Sequence, residues 1–196
     1  LEKELSTDFF DTTIPGKSRY VGHIHPIAQV QEEVERIFSQ MGFAVMDGPE
    51  IESEYYNFEG LNIPADHPAR DMQDTFWLTG MEHLMRTHTS PMQVRFMQAH
   101  QPPFRIICPG RVWRNEATDM THEAEFFQIE GLAVGEDITL AHLKWTLARF
   151  CSEVFKGAAE IRFRPSFFPF TEPSIEVDVR AIGQNVPEKL RDKWIE

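Results

Sequence analysis

Residues 109–134 (PGRVWRNEATDMTHEAEFFQIEGLAV) concentrate the side chains best suited to chemistry: Arg111 and Arg114 around Val112-Trp113, a loop of acids, threonines and His122, then Gln128 and Glu130. The pattern predicts a hairpin that opens with a Pro-Gly turn and carries a long polar connection between two apolar-rich runs. A purely structural hairpin uses a short turn, whereas this connection commits about ten residues to polar types. Strand alternation puts Arg111 and Trp113 on one side and Val112 and Arg114 on the other. Arg114 is then either a solvated rim residue or a planar fork for phosphate or carboxylate. Gln128 and Glu130 flank Ile129 on one strand face. That face either meets solvent or, if it points inward, needs a polar partner such as an amine.

Other candidate groups are weaker. His83 and His88 are five apart, and His23 and His25 straddle Ile24, without a partner at zinc spacing. Phe167, Phe168 and Phe170 suit a core as well as a ligand cage, and Glu172, between Thr171 and Pro173, reads as a surface acid.

The elements that must hold these residues follow from periodicity. Pro26 suits the first turn of a helix whose apolar positions are Ile27, Val30, Val34, Ile37, Phe38 and Met41, with Gly42 at the C-terminal cap. A short strand over 43–46 ends at Asp47-Gly48-Pro49. Residues 50–61 read as helical, 62–74 as a long surface loop, and 75–78 and 84–87 as strands. Ser90-Pro91-Met92-Gln93 has the grammar of a capped helix start, and Pro102-Pro103 marks its stop. A strand over 104–108 leads into the hairpin. A second amphipathic helix over 139–156 points Leu140, Leu143, Leu147, Phe150, Cys151, Val154 and Phe155 inward. Residues 161–164 and 175–180 alternate as strands, and 181–196 read as a polar linker with a short charged helix. The sum is an α+β fold, mostly antiparallel, with helices packed on one face.

Bulk properties narrow the classes. At 196 residues and 41% hydrophobic composition the chain fits one domain with a substantial core, and it shows no internal repeat. A net charge of −12 argues against non-specific nucleic-acid binding over the whole surface while leaving room for a local basic site. Cys108 and Cys151 are far apart and flanked by apolar residues, which points to a reduced, cytoplasmic setting. No apolar run approaches the roughly 18 residues of a membrane span, and no signal peptide is visible.

Six ordered segments together carry a resemblance: GHIHPIAQV, GFAVMDGPEIE, YYNFEGLNIPADHPARDMQDTFWL, MRTHTSPMQVRFM, PGRVWRNEATDMTHEAEFFQIEGL and FRPSFFPFTEPSIEVDV. The chain resembles the catalytic domain of bacterial-type phenylalanyl-tRNA synthetase alpha subunits, class II aminoacyl-tRNA synthetases, over about residues 15–180. The resemblance implies an antiparallel sheet flanked by helices, with a dimerisation element (motif 1) at about 26–50 and motif 2 at about 109–134. It implies that Arg114 grips the ATP α-phosphate, Glu116 reads the adenine amino group, His122 lies near the phosphates and Phe126 stacks on adenine. It assigns His88, Ser90, Gln93, Gln128 and Glu130 to the amino and carboxylate groups of phenylalanine, and Phe168 and Phe170 to the wall around its ring. Glu172 becomes a nearby acid and a candidate Mg²⁺ ligand. ATP and Mg²⁺ are the implied substrate and cofactor. The implied partners are tRNA(Phe), a beta subunit in a heterotetramer of two alpha and two beta chains, and a second copy through motif 1.

Three departures are visible. Residues 181–196 (AIGQNVPEKLRDKWIE) contain no GxGxxR-like string, so motif 3 of the family is not matched, and the tail stays unassigned. Residues 1–14 form a lead-in in which LEKEL reads as the remnant of a coiled-coil arm, as expected of a fragment or a processed chain. Phe127 stands where relatives often have His. Two readings follow: a catalytic domain that activates phenylalanine with ATP and transfers it to tRNA(Phe), or a synthetase-derived phenylalanine-binding or regulatory protein that has lost adenylation.

Overall fold

Two ten-residue strands form the central sheet of the computed structural model, which describes residues 13, 16, 21–63, 66, 75–78, 82–115, 123–168, 171–183 and 193–195. β4 (Phe104–Trp113) and β5 (Glu125–Val134) pair antiparallel from Phe104↔Val134 to Trp113↔Glu125. On the other edge of β4, β1 (Ala44–Val45) runs parallel, with Ala44 opposite Ile106 and Val45 opposite Ile107. The Pro109-Gly110 pair is not the expected turn but lies inside β4, opposite Ile129 and Gln128. Pro109 falls beyond the last residue paired with β1, so its missing N–H removes no ladder bond on that edge. Gly110 is required for a different reason: a Cβ there would lie 2.1 Å from the Arg86 guanidinium.

Helix α1 (Pro26–Gln40) starts as the sequence predicts, with proline in its first turn and the His25 ring nitrogen accepting from the Ile27 N–H at 3.2 Å. It stops at Gly42, whose φ of +83° a side chain would resist. Only the C-terminal half of its apolar stripe is covered. Val34 and Phe38 pack on Ile107 with Met41, Phe43, Ile129, Phe150 and Val154 around them, whereas Ile27 and Val30 are exposed.

The second long helix (Leu140–Val154) is the fourth in chain order, α4, and shares this face of the sheet. Thr139 and His142 cap its start reciprocally. Leu140, Leu143 and Phe155, expected to point inward, are exposed, and Cys151 is the buried residue of this helix.

The opposite face of the sheet is crossed by the segment that carries the site. β2 (Ile51–Ser53) pairs antiparallel with β3 (His83–Met85), and α2 (Glu54–Asn57) follows β2 directly. The helix expected over 50–61 therefore begins as a strand, continues as α2 and ends in a 3-10 turn at Glu59–Leu61. The strand expected over 75–78 reduces to one bridge, Trp77 to Leu84. α3 (Pro91–Ala99) then leads back to β4.

A separate hairpin, β6 (Ala159–Phe168) and β7 (Thr171–Ala181), is held by the buried Asp178, which accepts from Arg162 and Arg164 at 2.6 and 2.7 Å. Of residues 181–196, 181–183 and 193–195 are described, and the short charged helix expected there falls mostly outside the described residues. Ile195 bridges Val179, and Trp194 lies beneath the guanidinium groups of Arg162 and Arg180. The lead-in at 1–5 and most of the 62–74 loop lie outside the described residues. Helices and mostly antiparallel strands, with one parallel pair, make an α+β fold.

Ile107 is fully buried where β4 meets α1. Truncation in Ile107→Ala should lower the free energy of unfolding by about 2–5 kcal/mol, through lost burial and the cavity left behind, as read from chemical denaturation.

Candidate functional site

On β5, Phe126, Gln128 and Glu130 share the face turned away from α1. Glu130 is the hub. Its Oε1 accepts the Thr89 N–H at 3.2 Å, and its Oε2 accepts the Gln93 side-chain amide at 2.9 Å and the Ser90 hydroxyl. Ser90 and Gln93 were expected to cap α3. Instead Ser90 sits in helical backbone geometry, makes no side-chain cap bond and turns its hydroxyl to Glu130. Burial pushes the Glu130 carboxyl above the usual carboxylate range, and the hydrogen bonds from Ser90, Thr89 and Gln93 pull it back.

The strut that delivers Thr89 and Ser90 is itself braced. Asn57 on α2 holds Thr87 twice: its amide donates to the Thr87 hydroxyl at 3.0 Å, and its carbonyl oxygen accepts the Thr87 N–H at 3.2 Å. Arg114, just past the end of β4, donates its Nε–H to the Thr87 carbonyl at 3.2 Å, and its guanidinium lies 5.0 Å from the Phe126 ring centroid. Glu130 and Arg114 therefore both meet residues 87–90, Glu130 through Thr89 and Ser90 and Arg114 through the Thr87 carbonyl. Arg111 points to the other side and pairs with Glu50 and Glu125.

Among the described residues, three buried atoms near this strut have no hydrogen-bond partner: His88 Nδ1, Thr89 Oγ1 and Gln128 Oε1. The amide oxygen of Gln128 is an acceptor by chemistry, and a carboxylate stands two residues along the same face. A buried cluster weighted toward acceptors suits a donor-rich cation such as an ammonium. Burial and the neighbouring Arg114 charge hold His88 down to about 4, so it is neutral at pH 7 and can accept or donate without carrying charge.

The remaining predicted residues divide. Glu116, His122 and Phe170 lie outside the described residues. Phe168 and Glu172 stand on the β6–β7 hairpin, both exposed, in a different sheet from Glu130. Among the described residues no three carboxylate, thiol or imidazole groups converge. Thr87, Thr89, Asn57 and Arg86 were not foreseen. Arg86 and Thr87 fall in the short run expected as a strand and Asn57 in the stretch expected as a helix, and their partners are about 30 residues or more away in sequence or lie on another element.

A family model described as the tRNA synthetases class II core domain (F) matches residues 9–196, beyond the 15–180 carried by the quoted segments. Phenylalanine–tRNA ligase alpha subunits from Geobacillus thermodenitrificans and Exiguobacterium sibiricum are 52% and 53% identical over 201 and 200 residues, covering 100% of this chain and 58% of each relative. The alpha subunit from Anoxybacillus flavithermus is 53% identical over 181 residues, 91% of this chain and 52% of its own length. The chain thus spans a little over half the length of the curated relatives it matches. Two solved structures of Desulfitobacterium hafniense pyrrolysyl-tRNA synthetase share the fold at 20% identity, with TM-scores of 0.59 and 0.60, covering 82% and 86% of this chain and 56% and 59% of theirs. No helix among the described residues is long and apolar enough to cross a membrane.

His88 generates a pH prediction. Its folded pKa of about 4 lies below its ordinary 6.5, so the unfolded chain takes up a proton first on acidification. Stability is retained above about pH 6.5 and lost as pH falls toward about 4, by up to roughly 3 kcal/mol. Melting curves of His88→Gln should show a shallower loss over that window than the unaltered protein.

Proposed function

Because the chain belongs to the class II core-domain family of tRNA synthetases, we propose that it is the catalytic part of a phenylalanine–tRNA ligase alpha subunit. In this reading it joins phenylalanine to ATP as phenylalanyl-adenylate and passes the phenylalanyl group to tRNA(Phe). The observation that carries the reading is the acceptor cluster of Glu130, Gln128 and Thr89 beside Arg114. It supplies an ammonium site and a phosphate-gripping cation braced against the same strut.

Glu130 and Gln128 receive the substrate ammonium, which relieves the strain of a carboxylate pushed toward protonation by burial. The phenylalanine carboxylate is ionised at neutral pH, so no base is needed to activate it. One of its oxygens attacks the ATP α-phosphorus, the bond to the bridging oxygen breaks, and pyrophosphate leaves with that electron pair. Arg114 neutralises charge building on the phosphoryl oxygens, while Phe126, already against the Arg114 guanidinium, offers its ring to adenine. Glu116 and His122 complete the nucleotide grip, and Phe168 and Phe170 the wall around the substrate ring. Mg²⁺ would supply further charge neutralisation at the ATP phosphates. The exposed Ile24, Ile27 and Val30 at the start of α1 support a partner surface there, for a second alpha chain in an assembly with beta subunits.

The test is phenylalanine-dependent ATP–pyrophosphate exchange in the full-length assembly. Arg114→Ala should reduce exchange by at least about 100-fold while phenylalanine binding, read by thermal shift, stays nearly intact. Equal loss of both would remove Arg114 from the role given to it.

A further inference from the structure

Arg86 is a buried cation, 2% exposed, whose observed hydrogen bonds end on backbone carbonyls. Its Nε–H donates to the Arg111 carbonyl at 2.8 Å, and a terminal nitrogen donates to the carbonyls of Gly48 and Pro49 at 3.0 and 3.4 Å. Its main chain repeats the same link: its N–H donates to the Glu50 carbonyl, and its own carbonyl accepts the Trp113 N–H, both at 2.9 Å. The chain is shaped to admit this side chain, since a Cβ at position 110 would lie 2.1 Å from a guanidinium nitrogen. Burying a guanidinium is costly unless its donors are met, and here fixed carbonyls from two separate stretches meet the Nε–H and one terminal nitrogen.

Those two stretches are the Gly48–Glu50 bend, which follows β1, and the outer end of β4, from which Arg114 projects. The next residue, Thr87, offers its carbonyl to Arg114 Nε, and the residues after it deliver Thr89 and Ser90 to Glu130. We propose that Arg86 is a positioning residue for the ATP-dependent step. By clamping the Gly48–Glu50 bend to the end of β4, it fixes the Thr87 carbonyl and through it the aim of the Arg114 guanidinium. This rests on the phosphate-gripping role proposed for Arg114.

A lysine can satisfy one of these carbonyls but cannot span from Arg111 to Gly48. Arg86→Lys and Arg86→Gln are to be assayed in the full-length assembly for ATP–pyrophosphate exchange, for ATP affinity by calorimetry and for phenylalanine affinity by calorimetry. In Arg86→Lys, exchange should fall at least tenfold and ATP affinity severalfold, while phenylalanine affinity stays within twofold. Arg86→Gln should show the same split, more strongly. Exchange within twofold of the unaltered protein, or parallel loss of ATP and phenylalanine affinity, would overturn the proposal. Failure of both variants to fold would also overturn it, by making Arg86 a residue of stability only. If the unaltered assembly binds ATP but shows no exchange, the activation reading fails, and weakened ATP binding in Arg86→Lys would still sustain the clamp.

Discussion

A carboxylate held away from water must be answered by donors, and the arrangement of this protein around Glu130 follows from that requirement. Thr89, Ser90 and Gln93 reach it from a strut that folds across the sheet some 40 residues earlier in the chain. Three donors lower the cost of the charge without cancelling it, because burial still pushes the carboxyl upward. The residual imbalance, together with an acceptor on Gln128 that has no partner among the described residues, supports the proposal that this face receives a cation. A core that had satisfied these groups fully would be more stable and would have nothing to offer a ligand.

The sheet divides the work between its faces. On one side, Ile107 is sealed by Val34 and Phe38 of α1 with Phe150 and Val154 of α4, which makes the two long strands a rigid base. On the other, the strut from Arg86 to Gln93 is pinned at Asn57, at the end of β4 and at Glu130. Long-range hydrogen bonds rather than local propensity therefore set the separation between the Arg114 guanidinium and the Glu130 carboxylate. Side chains held in this way are preorganised and lose little freedom when a ligand arrives.

How much of this was legible in the sequence depended on the range of the forces involved. α1 was readable because proline at its start, glycine at its end and the 3.6-residue stripe are all local signals. Pro109-Gly110 misled because the dipeptide signals a turn, whereas its place in β4 is set by the limit of β1 and by the Arg86 guanidinium. Ser90 and Gln93 carried a correct helix start but a wrong destination, since the pull of Glu130 outweighs a cap hydrogen bond. Leu140 and Leu143 lie on a periodic stripe that the sheet does not reach. Resemblance selected Ser90, Gln93, Gln128, Glu130 and Arg114 in advance. Of these, Ser90 and Gln93 donate to Glu130 and Arg114 donates to the Thr87 carbonyl, while the Asn57, Thr87 and Arg86 braces depend on partners far away in sequence.

The central claim is that the Glu130 face recognises an ammonium group. It is tested most directly by calorimetry with L-phenylalanine and with 3-phenylpropanoate, which keeps the ring and the carboxylate but lacks the amine. The account predicts that losing the amine weakens binding on the order of 100-fold, as expected when a buried charge loses its partner. Equal affinity for the two compounds would contradict it.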